Sequence, residues 1–200
     1  MFDRSLRRYP VLAAILLILL VGLAWRQGWF GSAVPFRSVA HDINLGREYN
    51  QYTSRGPSVF LVTSSSEAGA LGKFLQLHPQ PDSPSAIITQ LNSIDYSQEF
   101  GVLLLQGASG GSSGVTVQGI RRQWNRLLID ARFTVPAWGA PQQAILTDPY
   151  DLIAISKAPF DGTYLSLEVW DSWRSVASTA GQIGDPPRPP ASPTMLPVLP

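Results

Sequence analysis

Between Arg8 and Arg26 the chain runs about 17 residues without a formal charge, from Tyr9 and Pro10 through valine, leucine, alanine and isoleucine to Trp25. A chain in hydrocarbon must satisfy its own backbone donors and acceptors, so such a run inserts as a helix. Its length lies at the short end of the ~17–25 residues that span a bilayer. Arg4, Arg7 and Arg8 precede the run, and Arg26 alone follows closely. Positive charge stays on the cytoplasmic side, which predicts residues 1–8 inside, a transmembrane signal-anchor over 9–25 and the remaining chain outside. Trp25, Trp29 and Phe30 then fall at the outer interface, where amphipathic rings are favoured. The same segment also fits a cleaved signal peptide. The small residues Gly31-Ser32-Ala33 lie beyond Arg26 and two tryptophans, and this spacing favours a retained anchor.

The chain has no cysteine. A lipidated cysteine, disulfides and cysteine metal sites are therefore excluded, and an exported domain must be held by burial alone. After a linker over 26–33, about 150 residues remain, enough for one self-sufficient core. The net charge of +1 gives no reason to expect nucleic acid as a partner. Residues 179–200 read as a tail. Pro186, Pro187, Pro189, Pro190, Pro193, Pro197 and Pro200 remove donors and fix φ, so neither helix nor sheet propagates.

Residues 34–178 carry the folded pattern. Ser58 to Thr63 is a short β-branched run after Gly56-Pro57. Ser64-Ser65-Ser66-Glu67 reads as a capping box, followed by Ala68, Leu71 and Leu75 at helical spacing with Phe74 beside them. Ala86 to Leu91 suits either a short helix or a strand. Phe100 to Leu105 is a buried-strand signature, Gly107 to Gly114 a glycine-rich connection, and Val115 to Ile120 a resumed strand. This predicts a hairpin, with glycine supplying the positive φ values of its turn. Arg121 to Arg126 forms the next turn, and Leu127 to Val135 alternates. Gln142 to Leu146 and Leu152 to Ile155 are strand candidates broken at Asp148-Pro149. In Thr163 to Trp170, Leu165, Leu167 and Val169 share one face. The expected fold class is α+β, a mainly antiparallel sheet with one packed helix, preceded by a single transmembrane helix.

Four stretches, Val59 to Leu75, Ile94-Asp95-Tyr96-Ser97, Gly107 to Val117 and Ile145 to Ile155, give the region from Ser58 to Lys157 a resemblance to the protease-complex-subunit PrcB family. Ser112 and Ser113 stand where that pattern has an aromatic; Ala86 to Leu91 is inserted and Thr163 to Trp170 appended. The resemblance implies an exported accessory subunit without proteolytic residues of its own, which holds or assists a partner at the cell surface.

The residues offer little for bond-making chemistry. A Ser-His-Asp triad needs a base oriented on a nucleophile, and only His41 and His78 are available. Gly110-Gly-Ser-Ser-Gly114 lacks the strand-to-helix setting of a nucleophile elbow. It also lacks the lysine and hydroxyl residue of a phosphate loop. His41 and Asp42 are strand neighbours that point to opposite faces, and Asp148, Asp151 and Asp161 are spread across turns, so no metal and no cofactor is expected. Glu67 reads as a cap, Asp95 as a turn residue, and Glu168 as an exposed strand position. Arg121, Arg122, Trp124 and Arg126 form a basic turn with an aromatic, read as solvated. Trp138, Trp170 and Trp173 read as core or as parts of an aromatic surface.

The resulting expectation is a non-catalytic module tethered to the outer side of a bacterial cytoplasmic membrane, with the membrane and a protein, such as a protease, as partners. Contact is assigned to Gly110, Gly111 and Gly114 of the glycine hairpin, with Tyr150 beside the proline break. An envelope hydrolase with an unfamiliar site is the alternative, tested at His41 and Ser113. A small-ligand or cell-wall-binding module is another.

Overall fold

The computed structural model describes residues 14–19, 31–42, 56–75, 87–107, 109–110, 113–135 and 146–184. Residues 14–19 are helical, and their side chains are exposed. Among the described residues no helix is long and apolar enough to cross a membrane. The rest of the expected 9–25 span lies outside the described residues, as do His78, Gly111, Ser112, Trp138 and the proline-rich stretch from Pro186.

Among the described residues from Gly31 onward, a five-stranded sheet, a four-stranded sheet and two helices form three layers. The strands are β1 (Ser32–Ala33), β2 (Arg37–Asp42), β3 (Ser58–Val62), β4 (Glu99–Leu105), β5 (Ser109–Gly110), β6 (Gly114–Gln123), β7 (Arg126–Thr134), β8 (Leu146–Thr147), β9 (Tyr150–Ser156), β10 (Tyr164–Asp171) and β11 (Arg174–Gln182); the helices are α1 (Ser65–Phe74) and α2 (Ile87–Asn92). One sheet has the order β1-β6-β7-β10-β11, the other β2-β9-β4-β3, and β5 pairs with β8. The α+β class with mainly antiparallel pairing is thus observed; β7 and β10 are a parallel pair. A parallel pair needs a crossover connection. Here the chain between them passes through β9 in the other sheet.

The alternation of side chains along β4 and β9 separates two cores. Phe100, Val102 and Leu104 of β4 and Ile153 and Ile155 of β9 face the five-stranded sheet, meeting Val115, Leu127, Ile129, Leu165, Leu167 and Val169. Leu103, Leu105, Leu152 and Ala154 face the helices, meeting Leu71 of α1, Leu75 at its C-terminal cap, and Ile87 and Leu91 of α2. Both faces of this sheet are covered, so β4 and β9 are apolar almost throughout, as a doubly buried strand must be. At one corner Gly181 of β11 lies so close to Leu61 that a Cβ would come within 2.8 Å of its Cδ2.

Four expectations change. The segment Gly107 to Gly114 is not a hairpin, because β4 and β6 belong to different sheets and the connection carries the chain from one layer to the other. Two helices pack on the sheet, not one: within the stretch that suits either a helix or a strand, Ile87–Asn92 forms α2, with Ile87 and Leu91 buried at helical spacing. The strand Thr163 to Trp170, which the resemblance makes an appendage, is β10, between β7 and β11. The fold also runs past Ser178. β11 continues to Gln182, and Ile183 is buried, because the ladder from Tyr164↔Gln182 to Asp171↔Arg174 completes the cover over the inter-sheet core.

Candidate functional site

A polar cleft of about 470 Å³ lies where β3 enters α1. Ser64 adopts an extended conformation (φ −150°, ψ 159°) as the cap of α1, and its Oγ accepts from the Glu67 N–H at 3.2 Å. Glu67 reaches back, and its Oε2 accepts from Thr63 N–H at 2.6 Å and from Thr63 Oγ1 at 2.9 Å. The expected capping box is present, with its carboxylate one residue further back than the usual partner. Thr63, Ser64 and Ser65 thereby form one wall of the cleft.

Tyr96 and Ser97 line the cleft as well. The Tyr96 hydroxyl donates to the Leu91 carbonyl at 2.9 Å, which ties the turn after α2 to that helix. Burial, and then the Glu67 charge, push its phenol up to about 12. Asp95 accepts from Ser97 Oγ at 2.6 Å and Ser97 N–H at 3.0 Å, and these bonds hold its carboxyl below the usual range. Lys157, just beyond β9, donates to the Tyr96 carbonyl at 2.6 Å and the Thr63 carbonyl at 2.8 Å. Two of its three N–H donors therefore bind β3 to the α2–β4 turn. Asp161 and Gly184 close the cleft. Gly184 has φ +74°, and a Cβ there would collide with Asp161 Oδ1.

This arrangement can receive a small polar group through hydroxyls, an ammonium and a carboxylate. Glu67 and Asp95 are committed to the cap and the turn. Among the described residues no group of three or more histidines, aspartates and glutamates gathers to hold a metal.

Of the residues assigned to contact, Gly110, Gly114 and Tyr150 are described, each in a different strand. Gly110 pairs with Leu146 across β5 and β8. Gly114 opens β6 opposite Thr134, whose Oγ1 donates to the Gly114 carbonyl at 3.2 Å. Tyr150 is 1% exposed, packed among the residues between sheet and helices. Burial, and then the Asp42 charge, push its phenol up to about 12. A side chain so buried is core and not contact surface. Its sequence setting explains the difference: Tyr150 begins β9 and shares a face with Leu152 and Ala154.

Asp151, expected in a turn beside the Asp148-Pro149 break, lies inside β9 at 4% exposure. Its Oδ2 accepts from the Val117 N–H of the other sheet at 2.7 Å, while Oδ1 has no hydrogen-bond partner. Burial raises its pKa, against the Val117 bond and the charge of His41. His41 is its cross-strand neighbour on β2. The signal for Asp151 was available: a carboxylate one residue into the apolar run from Tyr150 to Ile155 has to be paired or turned to an edge. For Lys157, sequence offered only its position after that run.

Comparisons with protein-family models, curated proteins and solved structures find no match.

Proposed function

We propose that this chain is a non-catalytic interaction module of the bacterial envelope, tethered by its N-terminal helix, with the folded domain outside the cytoplasmic membrane. The observation that carries the reading is the use to which the domain puts its ionisable groups. Glu67 caps a helix, Asp95 closes a turn, and Lys157 ties two connections. Asp151 staples one sheet to the other. Arg37 pairs with Glu99 at 2.7 Å, and Arg126 with Glu168. These groups serve the fold.

Two further observations support the tether. Leucines and isoleucines at 15–19 are helical and exposed, which suits a lipid environment better than water. Gly31-Ser32-Ala33, the small residues considered for cleavage, belong to the fold: Ser32 and Ala33 pair with Arg122 and Arg121. Cleavage after Ala33 would remove β1 from its sheet, which supports a retained anchor.

The partner is a protein, and a surface protease complex is the class that the resemblance implies. Affinity purification from gently solubilised membranes tests this reading. A partner recovered in constant proportion is the expected outcome; the chain recovered alone, reproducibly, overturns it. The polar cleft favours a second reading, a small-ligand module. Thermal-shift screening of the full chain against cell-wall saccharides and peptides should then find a ligand whose effect is lost in Ser65→Ala.

A further inference from the structure

We infer that the end of the five-stranded sheet bearing Trp124 and Tyr164 faces the bilayer and seats these two rings among the lipid headgroups. The inference rests on the reading of residues 9–25 as a membrane anchor.

The first observation is where the chain enters. β1 is antiparallel to β6, and Ser32 lies opposite Arg122, two residues before Trp124. A Cβ on Gly31 would come within 3.0 Å of the Arg122 carbonyl oxygen, so the entering chain is beside that strand end. Between Trp25, where the apolar run ends, and Ser32 there are only the residues 26–31. Seven Cα steps at full extension reach at most about 25 Å. The sheet end at Arg122 is therefore tethered within about 25 Å of the surface from which the chain emerges.

The second observation is what that end presents. Trp124 is 61% exposed at the tip of the β6–β7 hairpin. Tyr164, also 61% exposed, lies at the same end of the sheet: β10 runs parallel to β7 with Ser166 opposite Arg126, and the Ser166 N–H donates to the Asn125 carbonyl at 2.9 Å. Two large amphipathic rings therefore stand in water at the edge where the tether attaches. Indole and phenol rings are favoured at the headgroup level of a bilayer. Arg121, exposed and three residues before Trp124 on β6, carries a charge that complements lipid phosphates.

The third observation is the backbone under Trp124. Its φ is +56°, a conformation that glycine or asparagine adopts readily and a bulky residue rarely does. Folding alone gives no reason for tryptophan there. Seating in an interface does. Trp173, 82% exposed, marks the opposite end of the same sheet, at the β10–β11 turn, and provides an internal control.

The absence of cysteine allows a direct test on the full-length chain. Asn125→Cys and Trp173→Cys, each labelled with an environment-sensitive fluorophore, are reconstituted into vesicles of phosphatidylethanolamine and phosphatidylglycerol carrying a headgroup spin label. Quenching several-fold stronger at 125 than at 173 is expected. Adding Trp124→Gly, which suits the positive φ and so preserves the turn, should reduce quenching at 125 without shifting the unfolding midpoint. Equal quenching at both positions, stronger quenching at 173, or indifference to Trp124→Gly overturns the inference. Alkaline carbonate extraction of the same vesicles separates the two readings. A chain released by carbonate refutes the anchor, and this orientation with it. A chain retained without the contrast between labels refutes the orientation alone.

Discussion

Asp151 joins the two sheets through one charge-bearing atom, and this gives the domain a dependence on pH. Its folded pKa is raised from the ordinary 3.8, chiefly by burial. The native state therefore keeps the proton after the unfolded chain has lost it. Its contribution is fully present below about pH 3.8 and is lost as pH rises through the folded value. Urea unfolding of Asp151→Asn at a series of pH values should show this decline flattened. Asp151→Ala leaves the Val117 N–H unpaired and should cost about 1–3 kcal/mol, read in the same titrations. Gly184→Ala meets two obstacles, a positive φ and the Asp161 carboxylate, and should lose about 1–3 kcal/mol in thermal unfolding. At this scale sequence conveys identity but not neighbours. The cap at Glu67 was legible because its partners are local in the chain. The Asp151–Val117 bond, spanning 34 residues, was not.

Elements were legible wherever burial imposes a period. Ala68 and Leu71 lie on the buried face of α1, with Leu75 at its C-terminal cap, and Leu165, Leu167 and Val169 face the inter-sheet core. The cap deserves a direct measurement. Ser64→Ala removes the acceptor for the Glu67 N–H and should destabilise by about 0.5–2 kcal/mol in chemical denaturation. β11 escaped notice for a physical reason. Its residues from Arg174 to Gln182 are mostly small or polar, because this strand ends the sheet order and Gly181 must pass close to Leu61. The glycine-rich segment misled in the opposite direction. Glycine permits a turn but does not fix which strands the turn joins, and here those strands lie in different layers.

The whole molecule depends on a sheet shared by two cores. Leu103 and Leu104 are adjacent, both fully buried, and point to opposite faces of β4. Leu103→Ala opens space beneath the helices and Leu104→Ala opens it between the sheets; each should cost about 2–5 kcal/mol. Because one sheet lines both spaces, both variants should lower a single common transition in calorimetry. Two separable transitions would mean that the layers fold independently. Layering of this kind could not be foreseen from the residues: alternation shows that a strand has an inside, and the continuous apolar runs of β4 and β9 show two insides, but neither names what covers them.

The entry of the chain at one edge has a mechanical consequence. β1 and β2 both run away from that point, β1 along β6 and β2 along β9. Their interstrand bonds lie across the strand direction. A pull on the leader along that direction therefore loads each ladder in shear, so that its bonds resist together, where a strand of opposite polarity would unzip one rung after another.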